Sequence, residues 1–204
     1  MKLRLNDIKN NFEDRNIEFK YFESEKDLLV SIENEMRKHE TIGIGNSQTL
    51  KHYEISDMAL KLGKVVYDKT LSEDKDQVRK LKKQALLSDC YITSSNAITE
   101  DGKIINVDHS GNRVAAMTYG PDRVLVLVGI NKLTLNEQAG IKRVLNVATP
   151  KNAKRAKIAS PCSMEMSCDT CHQGVRVCNY LSIIRGQNTK GRMKVYLINK
   201  ELGF

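Results

Sequence analysis

An α/β fold built on an open, mainly parallel sheet flanked by helices is predicted by three observations. Short apolar segments alternate with longer amphipathic ones through residues 1–150. One segment, "RVLVLVGI", is apolar almost throughout, as suits a strand buried on both faces of a parallel sheet. The chain of 204 residues, 40% hydrophobic and 28% charged, is long enough for one substantial core and has the balance of an ordinary globular protein.

Each element follows from its own pattern. After an N-terminal helix, "IEFKYF" reads as a strand, and "SEKDLLVSIENEMRKH" as an amphipathic helix capped by Ser24, with Leu28, Leu29, Ile32 and Met36 on its apolar face. "TIGIG" is a short strand ending in glycine, "NSQTLKHYEISDMALKLG" a helix stopped at Gly63, and "KVVYD" the next strand. "SEDKDQVRKLKKQALLSD" is a long charged helix with Val78, Leu81, Ala85 and Leu86 on one side, and it leads into the strand "CYITSS". "KIINVD" and "RVLVLVGI" are further strands, and "LNEQAGIKRVLNVATPKNAKR" runs as helix to about Pro150. "YLSIIR" and "RMKVYLIN", separated by "GQNTKG", read as a C-terminal hairpin. The expected organisation is a single domain over 1–204, with an α/β core in 1–150 and a basic cysteine-bearing segment and hairpin in 151–204.

Composition narrows the function classes. The N-terminus is mixed in charge and lacks an apolar leader, and no stretch approaches the ~18 apolar residues of a membrane span, so a cytoplasmic protein with no membrane role is expected. The formal net charge is +8, and it is concentrated at one end: residues 151–204 carry ten Lys/Arg against three Asp/Glu. Such asymmetry fits an anionic partner or simply a solvated surface. No aromatic-studded basic motif argues for nucleic acid.

Three segments carry groups suited to chemistry. "GIGNSQT" lies at a strand-to-helix junction, where Gly43 and Gly45 would let the backbone approach a ligand and Ser47 and Thr49 would offer hydroxyls to phosphate or carboxylate. Its spacing matches neither the dinucleotide fingerprint nor a P-loop, and a tight turn with a serine cap explains it equally. Residues 94–121 crowd Asn96, Thr99, Glu100, Asp101, Asn106, Asp108, His109, Asn112 and Arg113 into sheet-forming sequence. Asn96, Thr99, Asn112 and Arg113 are expected to face the glycine turn across a ligand cavity, since both segments leave the carboxyl ends of strands. The competing reading makes "EDGK" a turn, Asp108 or Ser110 a helix cap, and Arg113 a partner of Asp101 or Asp108.

The third segment is "SPCSMEMSCDTCHQGVRVCN", which places Cys162, Cys168, Cys171 and Cys178 at spacing C-x5-C-x2-C-x6-C. In a reducing compartment, clustered thiols are ligands or redox groups before they are a disulfide framework. An iron–sulfur cluster, a zinc ion with His172 as a substitute ligand, or no metal at all remain open, since the spacing equals neither a ferredoxin motif nor paired zinc ligands. Cys90, at the start of a strand, reads as a small buried residue.

"NAITEDGKIINVDHSGNRVAAMTYGPDRVLVLVGINKL", followed by "NAKR", the cysteine segment and a final "LGF", resembles the lactate-utilization (LUD) domain family over nearly the whole chain. The resemblance implies a fold akin to ribose-5-phosphate isomerase, glucosamine-6-phosphate deaminase and the CoA transferases, in which a turn like "GIGNSQT" cradles phosphate or part of a coenzyme. It also implies an accessory redox role in oxidation of L-lactate to pyruvate, within a complex that includes iron–sulfur proteins. The alternative is an independent isomerase or acyl/CoA-transferase type of enzyme, with Glu100 or Asp108 as base or nucleophile.

Overall fold

A computed structural model describes residues 4–165, 171 and 176–204. In chain order the elements are α1 (Leu5–Glu13), β1 (Ile17–Phe22), α2 (Glu25–Met36), β2 (Thr41–Ile44), α3 (Gln48–His52), α4 (Ile55–Lys61) and β3 (Val65–Asp68). They continue with α5 (Lys75–Ala85), β4 (Cys90–Ser94), β5 (Ala97–Thr99), β6 (Ile104–Asp108), α6 (Asn112–Thr118), β7 (Arg123–Gly129) and β8 (Leu133–Thr134). The last are α7 (Glu137–Arg143), α8 (Thr149–Arg155), α9 (Pro161–Glu165), β9 (Tyr180–Ile184) and β10 (Met193–Ile198).

Six strands form a parallel sheet in the order β1-β10-β7-β4-β2-β3. A smaller sheet, β8-β5-β6-β9, is mainly antiparallel. The period of two in a strand divides the core between two layers. Leu125 and Leu127 of β7 join Leu28, Ile32, Met36, Ile55 and Ala59 on one face of the main sheet. Val124, Val126 and Val128 join Phe12, Ala116, Met117, Ile98 and Ile104 on the other, so the small sheet and α1 and α6 cover that face. A third layer, centred on Ile105, Val107 and Val144, buries the far side of the small sheet.

Ser24 caps α2 by accepting from the backbone N–H of Asp27, as expected. Three expectations are corrected. The helix read across residues 46–63 is two helices, broken where Glu54 takes the left-handed conformation at φ 49°. On one straight helix Leu50 and Ile55 would stand about 140° apart; the break lets both enter the same core. The helical run does not end at Pro150 but continues to Arg155 through a π-helical turn at Val144–Ala148. That wider turn accommodates a residue without an N–H, and the Thr149 hydroxyl donates to the Val144 carbonyl at 2.8 Å.

The third correction concerns the C-terminal strands, which do not form a hairpin. β9 pairs antiparallel with β6, while β10 enters the main sheet between β1 and β7, parallel to both. All six residues of β10 are buried, and they alternate between the two core layers: Met193, Val195 and Leu197 on one side, Tyr196 and Ile198 on the other. A strand apolar on both faces belongs at the centre of a covered parallel sheet. The Gly-rich turn that suggested a hairpin instead carries the chain from one sheet to the other.

Candidate functional site

Because the main sheet is parallel, the loops after β2, β4 and β7 leave the same edge. The end of β6 and the segment after β10 reach that edge too, and together they enclose a cavity of about 190 Å³. Its walls come from Asn46 and Ser47 after β2, Ser94 to Asn96 after β4, Asp108 and His109 after β6, and Lys132 after β7. Lys69, Lys82, Arg113, Asn152 and Arg155 complete it, with Gly203 and Phe204 at one side. Open α/β sheets place ligands in such a crevice.

Lys132 is the least expected of these groups. It sits in a 3-10 turn, Ile130–Lys132, immediately after the most apolar strand, and only 2% of its surface is exposed. Its Nζ donates to Thr49 Oγ1 and Ser94 Oγ, both at 3.0 Å. Burial, followed by the nearby Arg143 and Arg113 guanidinium groups, pushes its pKa down to about 7. The neighbouring Asn131 holds the tail over this turn, its Oδ1 accepting from Leu202 N–H at 3.0 Å. Gly203 passes so near that a Cβ there would lie 3.3 Å from Lys132 Nζ and 3.1 Å from Thr49 Oγ1.

The cavity is strongly cationic. Burial and then Lys82 lower the Lys69 pKa, with Arg155 and Arg113 acting in the same direction and Asp108 opposing. Arg155 is oriented by Asn152, whose Oδ1 accepts from it at 2.8 and 3.2 Å. Lys82 donates to Ser110 Oγ at 3.3 Å.

Of the residues singled out from sequence, Ser47, Asn96, Asp108, His109, Asn112 and Arg113 all line this cavity. Much of their bonding capacity is directed inward. Ser47 caps α3 by accepting from Thr49 N–H at 3.1 Å. Asn96 Oδ1 accepts from Val107 N–H at 3.0 Å, tying the β4–β5 corner to β6. Asn112 accepts from the Ser110 hydroxyl at 2.8 Å. Arg113 donates to the carbonyls of Val107 at 2.6 Å and Ser94 at 3.3 Å, and its Nε stands 3.7 Å from Asp108 Oδ1. Asp108 in turn accepts from the backbone N–H groups of His109, Arg113 and Val114, so it anchors the start of α6. Arg113 and Asp108 therefore brace the cavity wall that they line.

The structure separates the others from it. Thr49 is fully buried beneath the cavity as the partner of Lys132. Gly43 and Gly45 are required by packing: a Cβ on Gly43 would stand 2.6 Å from Ser88 Oγ, and one on Gly45 2.5 Å from Thr93 Oγ1. Gly45 opens onto an adjoining cavity with Asp57 and Asp68. Thr99 and Glu100 belong to the turn between β5 and β6, where Thr99 Oγ1 accepts from Lys103 N–H at 2.9 Å and Glu100 N–H donates to the Thr134 carbonyl. Asp101 pairs with Lys103 at 2.8 Å rather than with Arg113. Lys69, Lys82, Lys132 and Arg155 were not singled out from sequence; the position of Lys132 just past the carboxyl end of a buried strand was the available signal.

The sequence model of the LUD domain matches residues 5–198. This chain belongs to the LUD domain family. Its fold is similar to the crystal structure, at 1.70 Å resolution, of a DUF162 family protein from Deinococcus radiodurans, with a TM-score of 0.53 and 15% sequence identity over 97% of this chain and 96% of that one. No curated protein matches it significantly.

Among the described residues Cys90, Cys162, Cys171 and Cys178 are free thiols. Cys162 is buried with Ala153 and Val177, its sulfur 3.3 Å from Ser160 Oγ. Cys178 packs against a different apolar cluster, that of Ala97, Ile105 and Val107, with Arg176 Nη2 3.7 Å from its sulfur. Cys171 is half-buried, and Cys168 and His172 lie outside the described residues. Among the described residues no three His, Cys, Asp or Glu side chains gather as a metal site, so the visible thiols do not by themselves form a ligand set for a cluster or zinc. Cys90 is fully buried, and burial raises its thiol pKa to about 12, which makes it an inert core residue. Among the described residues no helix is long and apolar enough to cross a membrane.

Proposed function

We propose that this LUD domain binds a small carboxylate- or phosphate-bearing molecule in the cationic cavity. It does so in cytoplasmic organic-acid utilization, as an accessory redox component of L-lactate oxidation to pyruvate alongside partner subunits. One observation carries the anion: Lys69, Lys82, Arg113, Lys132 and Arg155 line the cavity, with Asp108 as the carboxylate side chain among them. Such an excess of positive charge in a cleft focuses potential on an incoming anion. Family membership supports the organic-acid setting. The redox part rests on the thiol spacing, with Cys162, Cys168, Cys171 and Cys178 as ligands of an iron–sulfur cluster or, alternatively, zinc; bound there, the group would supply electron transfer or a structural clasp.

The second reading, an independent isomerase or acyl/CoA-transferase type of enzyme, is favoured by Lys132, because a buried lysine with a pKa near 7 suits proton transfer or nucleophilic attack. Calorimetric titration of the full chain with inorganic phosphate, pyruvate and lactate tests anion binding. At least one should bind, and Arg155→Ala and Lys82→Ala should each weaken it. Wild-type affinity in both variants, or no anion bound at all, overturns the assignment of the cavity.

A further inference from the structure

We infer that Lys132 is a carbonyl-reactive residue, its side-chain amine condensing to an imine with an aldehyde or ketone whose anionic group is held by the surrounding cations. The proposal rests on the anion-binding reading of the cavity and goes beyond it by naming the ligand as a carbonyl compound, such as a 2-oxo acid or a phosphorylated aldehyde.

Three features of the site lead there. The amine is buried yet lines the cavity, so a ligand held there lies beside it. Its two contacts are hydroxyl oxygens, Thr49 Oγ1 and Ser94 Oγ, and the charged groups acting on it are the cations Arg143 and Arg113. A lysine kept as an ammonium ion in the core is ordinarily paired with a carboxylate; here the surroundings favour the neutral amine, which retains a lone pair after donating two hydrogen bonds. Finally, Lys69, Lys82 and Arg155 line the same cavity, providing an anchor for a carboxylate or phosphate on the same molecule.

The step balances without a co-reactant. Nζ attacks the carbonyl carbon, a C–N bond forms, and the carbonyl π electrons move to oxygen. The two nitrogen-bound protons pass to that oxygen, with the Thr49 and Ser94 hydroxyls in place to relay them. The C–O bond then breaks, water departs and the imine remains. No oxidant or reductant is consumed.

The test uses the full chain with two probes, pyruvate and pyridoxal 5′-phosphate, each followed by borohydride reduction and peptide mass mapping. At about pH 7.5 Lys132 holds several hundredfold more free amine than a surface lysine, so the reduced adduct should concentrate on the Lys132 peptide. Excess inorganic phosphate should suppress it, and Lys132→Arg should abolish it. Adduct spread evenly over surface lysines, or undiminished in Lys132→Arg, overturns the inference. The wild-type peptide map decides the matter even if that variant does not fold. Phosphate binding without a Lys132 adduct defeats the imine alone, whereas absence of phosphate binding defeats the underlying anion-site reading.

Discussion

Two buried lysines, one on β10 and one in the turn that follows the neighbouring strand β7, are treated in opposite ways. Lys194, near the amino end of β10, pairs with Glu18 at 3.1 Å and Glu35 at 3.3 Å, and Arg123 at the start of β7 also meets Glu35, at 3.1 Å. Burial opposes the Glu35 carboxylate, but Lys38, Lys194 and Arg123 outweigh that effect and hold its pKa below the ordinary value. At the opposite edge, Lys132 has hydroxyl partners and cationic neighbours. The amino-end charges neutralise one another and tie strands to α2. The carboxyl-end charges are left for something that arrives from outside. Charge compensation, not burial alone, distinguishes the structural lysine from the reactive one.

Glu35→Ala should produce the largest loss of stability, about 3–5 kcal/mol by denaturant unfolding, since it leaves the buried Lys194 and the half-buried Arg123 with reduced compensation. Phosphate affinity should be unchanged, because the change lies at the far edge of the sheet. Arg155→Ala should do the reverse, weakening phosphate by about 1.5–3 kcal/mol with little effect on unfolding. Arg113→Lys lies between them: it removes the fork that holds the Val107 and Ser94 carbonyls, so it should lower stability by about 1–3 kcal/mol. Unfolding that is unaffected by Arg113→Lys would show that the fork does not brace the wall.

A pH series sharpens the contrast. Lys132 has a folded pKa of about 7 against the ordinary 10.5. Below the lower value both folded and unfolded states carry the charge, and above the higher one neither does. Between them the unfolded chain binds the extra proton, so stability rises with pH. Relative to Lys132→Met, the wild type should gain about 1.4 kcal/mol per pH unit within that window. A pH-independent difference between the two proteins would mean that Lys132 is not held neutral in the fold.

Much of this frame is visible in the sequence because it depends on local pattern. The apolar run of β7 and the capped amphipathic face of α2 each encode their own placement. The position of β10 is ambiguous in the sequence because Gly186 and Gly191 fit a hairpin turn as well as a crossover; the deciding fact is the burial of both faces of the strand, which depends on its neighbours. Asn96, Asp108, Asn112 and Arg113 were legible as polar residues gathered at strand ends. Lys132 was not, because its burial arises only when α3 supplies Thr49, β4 supplies Ser94 and the tail at Gly203 closes over it. Thr99 and Glu100 illustrate the converse: polar residues beside a strand end that serve the local turn.

The smallest expected effect on the cavity comes from the cysteine segment. Cys168→Ser combined with Cys171→Ser should lower iron or zinc content after anaerobic purification and increase cleavage within residues 160–180, while leaving phosphate affinity unaltered. Unchanged metal content in that double variant would remove the cluster from the proposed function.

The central claim, an uncompensated amine awaiting an anion, is tested most directly by calorimetry of phosphate binding at about pH 8 in two buffers of different ionisation heat. An anion beside Lys132 favours its charged form, so binding should take up protons in the wild type and lose that uptake in Lys132→Met. Phosphate binding with no difference in proton uptake between the two proteins would contradict it.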